Sequence, residues 1–251
     1  MSDIDLDLAR RVHYAFLPDR YQDELVEVAV RVEPLLELGG DYCGIVQLPA
    51  GRVAMTVCDA TGHDIASALF ASRINTFVLS RLPRVAHPCS LIQRLNTFLA
   101  ERMEGVDMFA TFCAAVIDPR EGRWEFAGAG HPPAIQYRAA TRDTVLVPSQ
   151  TTPVGIFETL PKPCGTTTST FESGDRVVVY TDGLIDARPP GGEPLGVDRL
   201  RAVLEEHAGQ KAGKLNATMF EAARRYAGGR LDDDALVMTA DLRRAASPPG
   251  A

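Results

Sequence analysis

An α+β fold with antiparallel sheets is predicted for this 251-residue chain by the order in which its hydrophobic patterns change. A group of strands comes first, then two helical stretches, many short strands, two more helices and a last strand. Parallel α/β proteins alternate helix and strand more regularly than this. Every second residue from 26 to 32 is valine, the period of a half-buried strand. In 64–82 and 90–103 the apolar residues recur at helical spacing instead. No internal repeat and no linker-like stretch interrupts the pattern, so one domain is expected.

The elements follow in order. Leu6, Ala9, Val12, His13, Phe16 and Leu17 lie at helical spacing over 6–17, and Pro18 stops the run. After the valine strand and a Gly39-Gly40 turn, strands are expected at 42–48 and 52–58, joined by Pro49-Ala50-Gly51. The helix at 64–82 carries Ile65, Ala68, Leu69, Ile74 and Phe77. That at 90–103 carries Leu91, Ile92, Leu95, Phe98, Leu99 and Met103. Strand patterns then fall at 109–117, 123–127, 134–137, 144–147, 166–171 and 176–181. Helices are expected at 198–207 and 214–226, and a strand at 235–242.

Composition narrows the classes of function. The chain carries 26 basic and 33 acidic residues, a net charge of −7. An acidic surface without a basic stripe lacks the counterion-releasing contacts that nucleic acids require, so no nucleic-acid partner is expected. The five cysteines are scattered, with no close pair of the kind used by zinc or redox motifs, which predicts reduced thiols. Asp3, Asp5 and Asp7 oppose the basic start of a signal peptide, and no apolar run approaches bilayer length. A soluble cytoplasmic protein without a membrane partner is expected.

The aspartates at strand ends carry the chemical signal. Asp41 follows Gly39-Gly40, Asp59 follows the apolar run 53–58, Asp182 follows 177–181, and Asp232, Asp233 and Asp234 precede the last strand. Any one of them reads equally well as a turn or capping residue. Carboxylates gathered in space repel unless a cation lies between them. Oxygen donors without an accompanying His or Cys cluster suit magnesium or manganese rather than zinc.

Gly39-Gly40-Asp41-Tyr42, Asp59-Ala60-Thr61-Gly62-His63, Phe109-Ala110-Thr111, Ala129-Gly130-His131-Pro132-Pro133, Gly174-Asp175, Tyr180-Thr181-Asp182-Gly183-Leu184 and Asp232-Asp233 occur in this order. The ordered set resembles the SpoIIE/RsbU-type branch of the type 2C metal-dependent serine/threonine phosphatases, over residues 37–242. The resemblance implies a sandwich of two antiparallel sheets flanked by helices, with a two-ion manganese or magnesium site at one edge. It implies Asp41, Asp59, Asp182 and Asp232 as metal ligands, with Asp59 bridging, and the Ala60 carbonyl as a further donor. Asp233 is the second acid of its pair, and the register of the triple run stays open by one residue. A water held between the two ions would attack phosphorus in line, without a covalent enzyme nucleophile. His63 and His131 are candidates for the general acid, or hydrogen-bonded turn residues.

The resemblance further implies a phosphoprotein substrate in a bacterial stress circuit, an anti-sigma-factor antagonist, and divides the chain into a helical segment (1–25), a phosphatase domain (26–243) and a disordered tail (244–251). Relatives often carry a sensor domain ahead of the catalytic one. Here control is expected from an activating sensor protein or a domain outside the sequence. The 6–17 helix is expected to pack on the core and to be a regulatory or homodimerising element. Two positions depart from the family pattern: Asp64 stands where glycine is usual, and Ala235 where threonine is frequent. Asp64 reads as the N-cap of the following helix.

Other readings fail on the residues. Tyr42-Cys43 after Gly39-Gly40-Asp41 breaks a diguanylate cyclase signature, and Cys89 to Arg94 is one residue short for a cysteine phosphatase loop. No Walker A loop, His-Glu-x-x-His or Gly-x-Ser-x-Gly is present. The alternative from another class is a catalytically inactive module that binds a phosphoprotein and regulates it by occupancy. A hydrolase of small phosphate esters is a third.

Overall fold

A computed structural model describes residues 3–245 other than His63, Ala86, Glu104 and Lys162. Helix α1 (Asp3–Tyr14) precedes β1 (Arg20–Gln22), β2 (Val26–Glu33), β3 (Asp41–Leu48) and β4 (Arg52–Ala60). Helices α2 (Ile65–Arg81) and α3 (Pro88–Arg102) follow. Next come β5 (Ala110–Asp118), β6 (Arg123–Ala129), β7 (Ala134–Arg138), β8 (Asp143–Val147), β9 (Thr167–Thr170) and β10 (Arg176–Tyr180). The chain continues with α4 (Asp182–Ile185), α5 (Gly196–Glu206) and α6 (Ala212–Ala227), and β11 (Ala235–Leu242) completes it.

The strands form two sheets, ordered β1-β2-β11-β10-β7-β8 and β3-β4-β5-β6-β9. Every ladder in them is antiparallel. The expected α+β sandwich is therefore what forms, with α2 and α3 on the outer face of the second sheet and α5 and α6 on that of the first.

Side-chain alternation explains the burial of the strands. In β10, Val177 and Val179 point into the layer between the sheets, while Val178 and Tyr180 point to the helices. Both faces are covered, so the strand reads as a continuous apolar run. In β4, Val53, Met55 and Val57 face the inter-sheet layer and Ala54, Cys58 and Ala60 face α2 and α3. In β11, Leu236, Met238 and Ala240 face inward and Ala235 and Val237 face the helices.

One polar clamp crosses this layer. Trp124 Nε1 of β6 donates to Gln136 Oε1 of β7 at 3.1 Å, Ser169 Oγ donates to the same oxygen at 2.7 Å, and Gln136 Nε2 donates to the Thr170 carbonyl at 2.8 Å. Gln136 is fully buried and both ends of its amide are satisfied.

The structure corrects three expectations. The first helix covers 3–14, short of the expected 17; Leu6, Ala9, His13 and Leu17 of its stripe are turned to the protein, while Val12 and Phe16 at the stripe's margin are 55% and 67% exposed. His13 is buried, its ring edge-on to Tyr42 at 5.6 Å. The tail does not start at Arg244, which donates to Glu172 at 2.9 Å, nor at Ala245, whose N–H donates to the Pro119 carbonyl. The predicted tail beyond these two lies outside the described residues. β1 and the single turn α4 were not foreseen. All five cysteines are free, as expected.

Replacing Gln136 with Leu orphans the Trp124 N–H in a dry layer. Urea unfolding followed by fluorescence of Trp124, the only tryptophan, should show a loss of about 1–3 kcal/mol. An unchanged midpoint would remove the clamp from the account.

Candidate active site

Antiparallel pairing brings the aspartates together two by two. The start of β3 lies beside the end of β4, which sets Asp41 directly opposite Asp59. The end of β10 lies beside the start of β11, which brings Asp182 next to the 232–234 run. Alternation then aims the side chains. Asp59 continues the inward series Val53, Met55, Val57, and Asp234 precedes the inward Leu236 and Met238. The layer that is valine and methionine at its centre thus ends in carboxylates.

Two hydrogen bonds lock the sheets together at this end. Thr181 Oγ1 donates to Asp41 Oδ2 at 2.7 Å and accepts from the Leu236 N–H at 2.9 Å. Gly40 N–H donates to Asp234 Oδ2 at 2.7 Å, and Leu35 N–H donates to Asp234 Oδ1 at 2.7 Å. Asp234 is buried and spends both oxygens on the segment that leads into β3. Two glycines permit the approach. A Cβ on Gly40 would stand 2.7 Å from the Ala60 carbonyl oxygen, and one on Gly183 would stand 1.9 Å from the Asp234 carbonyl oxygen.

The electrostatics record the crowding. Burial pushes the Asp41 carboxyl well above its ordinary range, and the charge of Asp59 adds to this, against the Thr181 hydrogen bond. Asp59 rises from 3.8 to about 8, through burial and then through Asp182, Asp233 and Asp234. Asp182 is raised by burial and then by Asp233. The acids that act on one another are therefore Asp41, Asp59, Asp182, Asp186, Asp233 and Asp234.

Asp232 is exposed and is not among these charges. The charges of this run that bear on Asp59 and Asp182 are those of Asp233 and Asp234.

The donor set fits divalent cations. Among the described residues it offers carboxylate oxygens, with the Ala60 carbonyl beside Gly40, and no imidazole or thiolate joins them; the carboxylates repel in the absence of a compensating charge. Among the described residues, no three acidic, imidazole or thiol groups converge as closely as ligands around an ion do.

The loops around the acids are tied down. Thr61 donates through its N–H (3.0 Å) and its Oγ1 (2.7 Å) to the Phe109 carbonyl, and its Oγ1 accepts from the Phe109 N–H at 3.1 Å. Asp64 caps α2, its carboxylate accepting from the Ser67 N–H at 3.0 Å, as the sequence predicts. Asp175 is a turn acid bonded by the Ala139 and Glu172 N–H groups. Sequence reasoning missed the part played by Thr181 and Asp234, although both sit in stretches it singled out.

The family model described as stage II sporulation protein E (SpoIIE) matches residues 49–243, from the turn before β4 to just past the end of β11. The chain belongs to the SpoIIE family. It is 27% identical over 186 residues to the phosphoserine phosphatase RsbP of Bacillus subtilis strain 168, covering 72% of this chain and 45% of RsbP. It is 22% identical over 232 residues to the phosphoserine phosphatase RsbU of the same organism, covering 92% of this chain and 68% of RsbU. The chain thus spans less than half the length of RsbP. Among solved structures, the SiaA-PP2C domain of Pseudomonas aeruginosa superposes with a TM-score of 0.77 at 17% identity, covering 96% of each chain. That likeness is one of fold.

In this SpoIIE-family chain the two histidine candidates part company. His63 lies outside the described residues. His131 is buried, its Nδ1 is 2.8 Å from Thr111 Oγ1, and burial lowers its pKa to about 3. Burial thus favours the neutral imidazole of His131. No helix among the described residues is long and apolar enough to cross a membrane.

Raised carboxyl pKa values set the pH dependence of the cation-free protein. Between 3.8 and about 8 the folded state holds more protons than the unfolded one, so stability falls as pH rises through that window. In chelator, the thermal midpoint should therefore drop from about pH 5 to about pH 8. The slope should be shallower in Asp59→Asn, and manganese should reverse it. A midpoint that rises over this range in chelator would contradict the crowding of acids.

Proposed function

We propose that this chain is a metal-dependent protein serine/threonine phosphatase, hydrolysing phosphoserine or phosphothreonine on a partner protein. The gathering of acids from four strand ends at one end of the inter-sheet layer carries this reading. Asp41, Asp59, Asp182 and Asp233 would hold manganese or magnesium, two ions being expected, with the Ala60 carbonyl as a further donor. When bound, such cations activate water for attack on phosphorus and offset charge on the phosphoryl oxygens.

The protein's own residues do the positioning. Thr181 takes the Leu236 N–H and so has its proton free only for Asp41, which fixes the rotamer of that carboxylate. Asp234 holds the 35–40 segment, and with it the height of Asp41 over Asp59. The tight corner at Gly183 turns Asp182 toward the same place.

The names of RsbP and RsbU support phosphoserine as the substrate class. An anti-sigma-factor antagonist as the partner follows from the family resemblance. The rival reading, an inactive binding module, leaned on Asp64 and Ala235. Asp64 is occupied as a helix cap, and Ala235 is a buried residue packed beneath Gly183, on the side away from the inter-sheet layer.

Hydrolysis of para-nitrophenyl phosphate with manganese, magnesium or chelator tests both the activity and the register. Asp182→Asn and Asp233→Asn should each lose more than about 100-fold in turnover, beyond what outer partners of a metal site cost. Asp232→Asn should stay within about 3-fold of wild type, as surface substitutions usually do. Loss in Asp232→Asn with retention in Asp233→Asn would restore the original register. Folded protein without turnover in any ion would favour the binding module.

A further inference from the structure

A groove of about 780 Å³ opens between α1, the 33–38 segment and the first turn of α2. Its apolar wall is formed by Leu6, Val32, Leu35, Leu36, Leu38 and Ile65. A second cavity of about 160 Å³ shares Glu33, Pro34, Leu35 and Arg224 with it, and continues to Arg230 and Asp233. The two make one trough that runs from an apolar end to the acid cluster.

The charges along it are already spent. Arg10 pairs with Glu37 at 3.3 Å, Arg224 pairs with Glu33, and Asp64 caps α2. What remains at the wide end is apolar surface, with Leu36 50% exposed and Ile65 46% exposed. A wall so open to solvent suits side chains of a polypeptide laid across it rather than an enclosed small molecule. At the narrow end Arg230 is exposed and, among the described residues, makes no ion pair. Its guanidinium is the free cation beside Asp233, matched in sign to a phosphoserine dianion.

We infer that this trough seats the segment flanking the phosphoserine of the partner protein. Apolar flanking side chains pack on Leu36 and Ile65, and Arg230 meets the phosphorylated end. This presupposes the phosphatase activity proposed and adds to it the substrate class: phosphoserine next to large apolar residues rather than acidic ones. The seat is rigidly placed, because the Leu35 N–H on its floor is bonded to Asp234, which also holds Gly40 beside Asp41. A peptide in the trough is thus held at a fixed offset from the acids.

Phosphoserine peptides with leucine, serine or glutamate at the flanking positions on each side, assayed with para-nitrophenyl phosphate as a control, test this. Wild type should prefer the leucine-flanked peptide by about 10-fold or more in kcat/KM, the scale of one apolar side chain in a pocket. Leu36→Asp should cut that preference to near unity through KM, and its circular dichroism and thermal midpoint, read beside wild type, show whether the variant is folded. Fluorescence anisotropy of the same peptides on Asp182→Asn, with and without Leu36→Asp, reads the seat independently of turnover and should show the same preference and the same loss. Absence of para-nitrophenyl phosphate turnover together with a binding preference would overturn the activity and leave the seat. Turnover without a flank preference, or a preference that survives Leu36→Asp in both assays, would overturn the seat. A dimer in sedimentation that Leu36→Asp abolishes would assign the trough to a second copy and overturn it too.

Discussion

Like charges brought close together in a dry layer dominate this molecule. A β-sandwich could end its inter-sheet layer in leucine and be more stable for it. Here the layer ends in Asp41, Asp59 and Asp234, with Asp182 and Asp233 at the adjoining corners, and the cost appears as carboxyls that resist ionisation. Such an arrangement persists only because the surrounding backbone over-determines it. Thr181 and Asp234 stitch the two sheets at this edge, and the long antiparallel ladders behind them leave the strand ends nowhere else to go. Stability is therefore located in the valine-rich middle of the sandwich and chemistry at its rim.

The division of labour within the 232–234 run shows how finely this is set. Three identical residues in a row meet three environments. Asp232 is in solvent, Asp233 is exposed at the acid cluster, and Asp234 is buried under two backbone N–H groups. One residue of register separates a surface charge from a candidate ligand, and one more separates the ligand from a structural pin.

Much of this was legible in the sequence. Strand ends showed because apolar runs stop abruptly at Asp59 and Asp182, and antiparallel order followed from the grouping of elements. The register of the acid run did not show. β11 is apolar on both faces, so its alternation carries no sign of which face is inward, and Asp233 cannot be told from Asp234 without the sheet beside it. The α1 stripe was legible only in its centre. Helical spacing marks 6, 9, 13 and 17, which are the covered positions, but gives no sign that Val12 and Phe16 at its margin stay in solvent. Thr181 escaped notice because a hydroxyl between Tyr180 and Asp182 has no periodic signature; its importance arises only from a partner 140 residues away in the chain.

The margins of the two sheets bear on how such a protein stays dispersed at high concentration. Open strand edges invite pairing with other chains. β1 offers only three residues, and β9 is the short polar run Thr-Thr-Ser-Thr. β8 has the Thr144 carbonyl and hydroxyl engaged by the Arg201 guanidinium, and β3 lies beneath α2. The β1, β9 and β8 borders are short, polar or plugged, whereas β3 is covered on its face. Three of the four borders thus discourage pairing with another chain, and the long β3 border is the one where such pairing would have to begin.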